Sequence, residues 1–276
     1  MDLGLKGKVV VVTGASKGIG LAIARELVQE GAKIAICSTN EERIRAAAEE
    51  LQAMGGEVYY DVADFCQEES AYQFGRNVMA HYGVIDSWVN NVGAQYTKGD
   101  DEEVYSNDLL ERCFAIIFKS AAFGCQAAYL AMKDRGGSIV NISSLGARCP
   151  TIGKATIYGP LKAAVNQLTM TLAGEYAAYG IRVNCVMPGY TMTEFNTANT
   201  TKETMEAVCA GTMMNRPGRV EEIAKPVVFL CGSGSTFMTG ETVEVSGGRG
   251  LSLNPHFSYG EKTRKECSEK PAAKEH

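Results

Sequence analysis

A chain of 276 residues, 45% hydrophobic and 21% charged, has ordinary globular composition and enough length for one doubly wound α/β domain with a large core. A formal net charge of −5 excludes the electrostatic footprint of a nucleic-acid binder, although an anionic cofactor, which local dipoles hold, stays possible. Nine cysteines without a Cys-x-x-Cys pair, and three histidines (His81, His256, His276) without a spaced partner, argue for free thiols in a reducing, cytoplasmic compartment and against a metal site. Residues 1–12 are too short and mixed for a signal peptide, and no apolar run is expected to span a membrane.

The first element is Val9-Val10-Val11-Val12-Thr13, a β-branched run that reads as a short buried strand. The turn Gly14-Ala15-Ser16-Lys17-Gly18-Ile19-Gly20 follows, and helical periodicity then runs to about Glu30, with Gly31 as its stop. Such a unit makes a phosphate cradle, because first-turn N–H groups are unpaired and carry partial positive charge, while glycine lets backbone approach a pyrophosphate. The spacing is Gly-x-x-x-Gly-x-Gly, not the commoner Gly-x-Gly-x-x-Gly, and taken alone a glycine turn is also a plain structural turn.

Residues 33–37 form a second apolar strand, and Thr39-x-x-Glu42 offers a capping box for a helix to Leu51, ended at Gly55-Gly56. Strands at 58–62 and 85–90 flank a polar helix to about Tyr82. A long helix spans 107–135 and Gly136-Gly137 closes it. Strand five covers 138–143, a helix 156–179, and strand six 181–186. Residues 190–215, rich in Thr and Met with weak helical pattern, read as a mobile lid. A helix at 221–230 and a seventh strand at 241–245 complete the alternation. Strands separated by crossover-length helices imply a parallel sheet covered on both faces, a three-layer αβα arrangement. Residues 1–257 read as a single domain, and 258–276, charged and carrying Pro271, as a disordered tail.

Ligands bind such sheets at the carboxyl ends of the strands, so residues just after each strand carry the chemistry. Asp61 could accept from an adenine amino group while the N–H of Val62 donates to the ring; a helix N-cap is the equal alternative. Asn90-Asn91-Val92-Gly93 permits close approach of backbone to a ribose, or is merely a turn. Tyr158 and Lys162, at i and i+4, share one helix face, with Pro160 in its first turn. An ammonium there would lower the phenol's pKa and make Tyr158 an acid/base, with Ser144 holding a carbonyl oxygen beside it. A lone Tyr-x-x-x-Lys is also an ordinary surface pair.

Together, Thr13-Gly14-x-x-x-Gly18-x-Gly20, Asp61, Asn90-Asn91-Val92-Gly93, Ser144, Tyr158-x-x-x-Lys162 and Pro188-Gly189 occur in an order that resembles the short-chain dehydrogenase/reductase family, from about residue 5 to 250. The resemblance implies a Rossmann-type, seven-stranded parallel sheet, a nicotinamide cofactor, and hydride exchange between a secondary alcohol and a ketone. It implies Tyr158 as proton donor, Ser144 as carbonyl orienter, and Lys162 on the nicotinamide ribose. Thr191 and Thr193 match positions that meet the nicotinamide amide and the pyrophosphate. Many members are homotetramers (some dimers) that pair through the two long helices.

Two departures bear on function. The family places an asparagine in the long helix, where it kinks the helix and holds a water linked to the lysine; here the position is Ile117, whose side chain neither donates nor accepts. With Ser144, Tyr158 and Lys162 retained, catalysis is expected to persist, and Ile117→Asn to hold or raise turnover. At the end of strand two, NAD-binding members carry an acid, whereas Ser38 is neutral and Thr39 follows it. Lys17 is placed to pair with a 2′-phosphate, so NADP is expected, with NAD as the alternative. The substrate region carries Tyr96, Tyr105, Leu145, Ile152, Tyr190, Met192, Phe195, Met205 and Met213, with Arg148, Lys154 and Glu194 as its few charges. That suits a bulky hydrophobic, steroid-like or terpenoid compound. Sugar, polyol or 3-ketoacyl reduction, or a low-turnover cofactor-binding protein, are the alternatives.

Overall fold

The computed structural model describes residues 2–94, 106–149 and 157–251. The expected tail at 258–276, and Tyr96, Tyr105, Ile152 and Lys154 of the substrate region, lie outside these residues.

Strands β1 (Val9–Thr13), β2 (Lys33–Ser38), β3 (Glu57–Val62), β4 (Ser87–Asn90), β5 (Gly137–Ile142) and β6 (Ile181–Pro188) belong to one sheet. Two-residue strands β7 (Thr191–Met192) and β8 (Gly218–Arg219) pair only with each other, and β9 (Thr242–Val245) completes the main sheet. Its order is β3-β2-β1-β4-β5-β6-β9, all parallel, as the alternation of elements predicts. The order reverses between β1 and β4, which puts the ligand crevice at their carboxyl ends.

The valine run of β1 is explained by two-sided burial. Val10 and Val12 face one layer, with α1 (Gly18–Gln29), α2 (Glu41–Ala53) and α9 (Val220–Cys231); Val9 and Val11 face the other, with α3 (Glu68–Tyr82), α5 (Ser120–Met132) and α6 (Tyr158–Tyr176). The cap of α2 differs from expectation. Asn40, not Thr39, takes the N-cap position, its side-chain oxygen accepting from the Arg43 N–H at 2.9 Å.

The region expected as a lid is folded. It holds β7, α7 (Glu194–Asn199) and α8 (Lys202–Ala210), with Thr193 and Thr201 as N-caps accepting from the N–H groups of Asn196 and Thr204. Short Thr-capped helices leave little periodicity to read. Of the cysteines, Cys37, Cys113, Cys125, Cys185 and Cys231 are buried, Cys66, Cys149 and Cys209 half-buried, and all eight are free thiols; Cys267 lies outside the described residues.

The helix expected over 107–135 is broken in its middle. It starts as α4 (Asn107–Phe114), widens into a π-turn at Ala115–Lys119, and continues as α5. The Ser120 N–H reaches back five residues to the Ala115 carbonyl, and Ser120 Oγ takes the Ile116 carbonyl at 2.7 Å. Contrary to expectation, the 26 residues Asn107–Met132 are long and apolar enough to cross a membrane by length and composition. In this fold α5 packs on β4, β5, α3 and α6, and Ala121, Cys125, Ala127, Ala128 and Met132 are core residues.

Ile117 sits within the π-turn at 1% exposure, packed with Leu109, Cys113, Ala121 and Val165 and flanked by Tyr158 and Leu161. The helix therefore widens at this position without an amide side chain. An asparagine there would put an amide among apolar side chains. Ile117→Asn is expected to cost about 2 kcal/mol in stability, read from urea unfolding; an unchanged midpoint would contradict this packing account.

Candidate active site

The glycine turn is held from two sides. Gly14 and Gly18 have φ of +64° and +59°, a region that a side chain at these positions would strain. At Gly20 the requirement is space, since a Cβ would lie 2.5 Å from Asn91 Nδ2 and 2.6 Å from the Gly14 carbonyl. Asn91, at the end of β4, is the stitch: its Nδ2 donates to the carbonyls of Thr13 and Gly14 at 3.1 and 3.0 Å, and its N–H to Thr13 Oγ1 at 3.1 Å. The ends of β1 and β4 and the turn thus form one rigid ledge.

Above that ledge the first turn of α1 has no side-chain cap and no acidic residue of its own. Glu194, the first residue of α7, brings a carboxylate oxygen to 3.5 Å from the Gly18 N–H, so an anionic acceptor already faces this helix end. The set of open N–H groups and glycines fits a diphosphate. Lys17 is exposed beside it and makes no ion pair among the described residues. Ser16 and Ile19 lie in the same turn. Ser38 is occupied locally, its hydroxyl donating to the Asn40 carbonyl at 3.1 Å and accepting from the Asn40 N–H at 3.2 Å; Thr39 is exposed.

Asp61 is not the cap of α3. Its carboxylate accepts from Tyr59 Oη, Asn77 Nδ2 and the Val62 N–H, which fixes it at the carboxyl end of β3. Asn90 turns its side chain into the core: Trp88 Nε1 donates to its Oδ1 at 2.8 Å, and its Nδ2 donates to Asn141 Oδ1 at 2.9 Å. Only Asn90 backbone is left for a ligand. Gly124 of α5 makes this possible, because a Cβ there would overlap Asn90 Oδ1. Gly124 escapes sequence reading, although a glycine inside a long helix is the signal that marks it.

Ser144, Tyr158 and Lys162 are brought together. Ser144 follows β5 and caps the 3₁₀ turn Leu145–Ala147, its Oγ accepting from the Gly146 N–H at 3.1 Å. The Ser144 hydroxyl also acts on the phenol of Tyr158, the first residue of α6, working to lower its pKa. Gly159 lets the first turn of α6 lie against the 3₁₀ turn, since a Cβ would come 2.6 Å from the Gly146 carbonyl. Lys162 is buried, at 4% exposure. Its Nζ donates to the Ile142 carbonyl at 2.8 Å and lies 6.0 Å from the centre of the Tyr158 ring. Gly93 covers it from the β4 side, where a Cβ would sit 3.3 Å from Nζ.

The electrostatics of this pair correct the expectation from sequence. Tyr158 is raised above the usual phenol value by burial, against which the Ser144 hydrogen bond works. Lys162 does not pull it down; burial drops the lysine itself from 10.5 to about 8. Burial acts on both, fully on Lys162 and on the half-buried Tyr158 against the Ser144 hydroxyl.

On the β6 side, Pro188 ends the strand and Gly189 packs against Ser246, where a Cβ would lie 2.7 Å from its Cα. Thr191 Oγ1 donates to the Gly189 carbonyl at 3.1 Å, and Thr193 caps α7 above the glycine turn. Tyr190 joins Thr200 through their hydroxyls at 2.6 Å and lines a cavity of about 90 Å³ with Met214, Pro217, Ile223 and Val245. The region between these loops is apolar at Leu145 and Met192, with Phe195 exposed. No cluster of three metal-ligating side chains occurs among the described residues.

Known proteins place this arrangement in context. A family model described as enoyl-(acyl carrier protein) reductase matches residues 14–249. A tropinone reductase homolog of Arabidopsis thaliana is 37% identical over 260 residues, covering 92% of this chain and 96% of its own. A 7alpha-hydroxysteroid dehydrogenase of Clostridium sardiniense is 33% identical, covering 92% and 98%. Among solved structures, L-sorbose reductase from Gluconobacter frateurii, complexed with NADPH and L-sorbose, is 30% identical and superposes with a TM-score of 0.83 over 92% of this chain and 100% of its own. With a ledge of glycines under a helix end and a Ser–Tyr–Lys group at the strand ends, the chain belongs to the short-chain dehydrogenase/reductase family of oxidoreductases.

Proposed function

We propose that this protein transfers a hydride between NADP(H) and a secondary alcohol or ketone, with Tyr158 as the acid/base. The observation that carries the reading is the convergence of Ser144, Tyr158 and the buried Lys162 amine, whose Nζ lies 6.0 Å from the centre of the Tyr158 ring. The nicotinamide, when bound, supplies or accepts the hydride. In reduction, Tyr158 gives its proton to the carbonyl oxygen that Ser144 orients; in oxidation it takes the alcohol proton back. Lys162 would hold the nicotinamide ribose beside Tyr158. Gly14, Ser16, Gly18, Ile19 and Gly20 would hold the diphosphate, Asp61 and Val62 the adenine, and Asn90 and Gly93 backbone the ribose. Pro188, Gly189, Thr191 and Thr193 border the nicotinamide.

Because burial raises the Tyr158 pKa, the phenol keeps its proton across neutral pH. Ketone reduction is therefore expected to be flat through neutrality and to fall as pH rises, while alcohol oxidation rises over the same alkaline range. Paired profiles of kcat/KM test this; an oxidation already maximal in acid would reject Tyr158 as the base. Tyr158→Phe should remove about 10³-fold of kcat while cofactor binding survives. A screen with steroid, terpenoid and sugar ketones sets the substrate. Cofactor binding with no oxidation of NADPH on any of them would point to a binding protein instead.

The preference for NADP rests on Lys17 beside an open helix end and on Ser38, which repels no phosphate. Lys17→Ala is expected to raise the NADPH KM about tenfold and leave that for NADH within twofold. Equal effects on both cofactors would show that Lys17 is only a solvated charge. A bulky hydrophobic substrate, the lean toward steroid-like ketones, is supported by the apolar loops and by the hydroxysteroid dehydrogenase among the relatives. A homotetramer paired through α5 and α6 is supported by the exposed Leu130 and Met170 on those helices and Tyr179 just after α6.

Lys162 carries a stability cost that exposes its role. The unfolded chain holds the lysine proton up to 10.5 and the native state only to about 8, so burial opposes folding below pH 8 and the penalty fades as pH rises toward 10.5. Lys162→Met is expected to gain about 2 kcal/mol of stability at neutral pH, with the gain shrinking above pH 8, while turnover is lost. A variant that is less stable at every pH would mean the amine is held by more than the Ile142 carbonyl.

A further inference from the structure

Between Ser144 and Cys149, and again between Met187 and Thr193, the chain carries one charge, that of Arg148. Arg148, four residues after Ser144, is the described cation of the substrate region that could grip an anionic substrate; Lys154 lies outside the described residues. It does not point free. Arg148 Nη1 lies 3.2 Å from Glu244 Oε2, with the arginine side chain 63% exposed and the glutamate 20%. Glu244 is fixed where Arg148 is not. It pairs in register with Met187, just before Pro188-Gly189, and its neighbours Val243 and Val245 pack into the layer of α1 and α9, so Glu244 itself faces the opposite, α6 layer. Its Oε1 accepts from Ser246 Oγ at 2.5 Å, and Gly250 leaves room for the carboxylate where a Cβ would overlap it. The carboxylate is therefore built into the sheet edge and the guanidinium comes to it.

We propose that Glu244 sets the charge class of the substrate by holding Arg148, so that the site takes an uncharged ketone and turns away a keto acid. Glu244 is a specificity-determining residue that acts through Arg148 and touches no reacting atom. The inference rests on the reading of Ser144 and Tyr158 as the reacting groups. Two matched ligands test it: 4-methylcyclohexanone and 4-oxocyclohexanecarboxylate, which differ by a methyl or a carboxylate at the same ring position. Calorimetry on the full chain, with and without NADP⁺, reads affinities that need no turnover.

Glu244→Gln keeps the shape and the Ser246 contact but frees Arg148. The affinity ratio of the keto acid to the methyl ketone is expected to rise about tenfold. Adding Arg148→Met to that variant should return the ratio to the wild-type value. A ratio within twofold of wild type in Glu244→Gln, or a gain that persists without Arg148, would overturn the proposal and leave the pair as a loop tether. If the wild type reduces neither ketone with either nicotinamide cofactor, the functional reading fails separately, while the affinity ratio still decides the ion pair.

Discussion

The arrangement at the strand ends depends on one buried amine. Lys162 lies out of water, and an ammonium there is tolerated only where an acceptor waits; the carbonyl of Ile142, at the last residue of β5, is that acceptor. A parallel sheet leaves such carbonyls available at its carboxyl edge, because pairing stops there while the chain turns away. Ser143 Oγ, donating to the Lys162 carbonyl at 3.0 Å, fixes the helix to the same strand end. Tyr158 is one turn earlier on α6, so locating the amine also locates the phenol. The 3₁₀ turn then brings Ser144 to the phenol from the other side.

Close approach of backbone supports this geometry on every flank. Gly93 covers the amine, Gly159 admits the 3₁₀ turn, Gly20 admits Asn91, and Gly124 admits Asn90. Each is a position where a methyl would push a polar group out of place. Asn90 and Asn91 divide the work between them. One amide faces the core and joins β4 to β5 through Asn141, which passes the chain of hydrogen bonds on to Thr169 of α6. The other faces the crevice and joins β4 to the glycine turn. The crevice between the two halves of the sheet is thereby pinned at its base, which is where a dinucleotide fold binds its ligand.

The sheet was legible because two-sided burial writes directly into sequence. A run such as Val9–Val12 has no other common explanation than a central parallel strand, and helices of crossover length between such runs dictate the topology. The convergence of Ser144, Tyr158 and Lys162 was legible for a similar reason: i and i+4 on a helix is a geometric statement, and the motif order supplied the rest. What stayed hidden depends on contacts across the fold. Asn40 and Thr39 are both acceptable caps, and only the backbone entering α2 chooses between them. The π-turn around Ile117, whose side chain packs in the cluster with Tyr158, Leu161 and Val165, has no local signature in the sequence. The direction of the Tyr158 shift needed burial, which i, i+4 spacing does not report. Ion pairing of Arg148 with a residue 96 positions away was invisible for the same reason.

Desolvation also connects chemistry to selectivity. A site dry enough to hold Lys162 down to about 8 and to keep Tyr158 protonated is one in which any further charge is expensive. A phenol that retains its proton is poised to donate, which favours reduction near neutrality. A substrate carboxylate entering the same space would have to bring its own counter-ion or find one. Glu244 already pairs with Arg148 beside β9, while the carboxylate of Glu194 rests against the first turn of α1. The exposed charges thus lie at the two ends, Glu194 against the glycine turn and the Arg148–Glu244 pair beside β9, and Lys162 is the buried cation between them, next to Ser144 and Tyr158. For the proposed hydride transfer, an uncharged ketone is the substrate that leaves the Arg148–Glu244 pair intact.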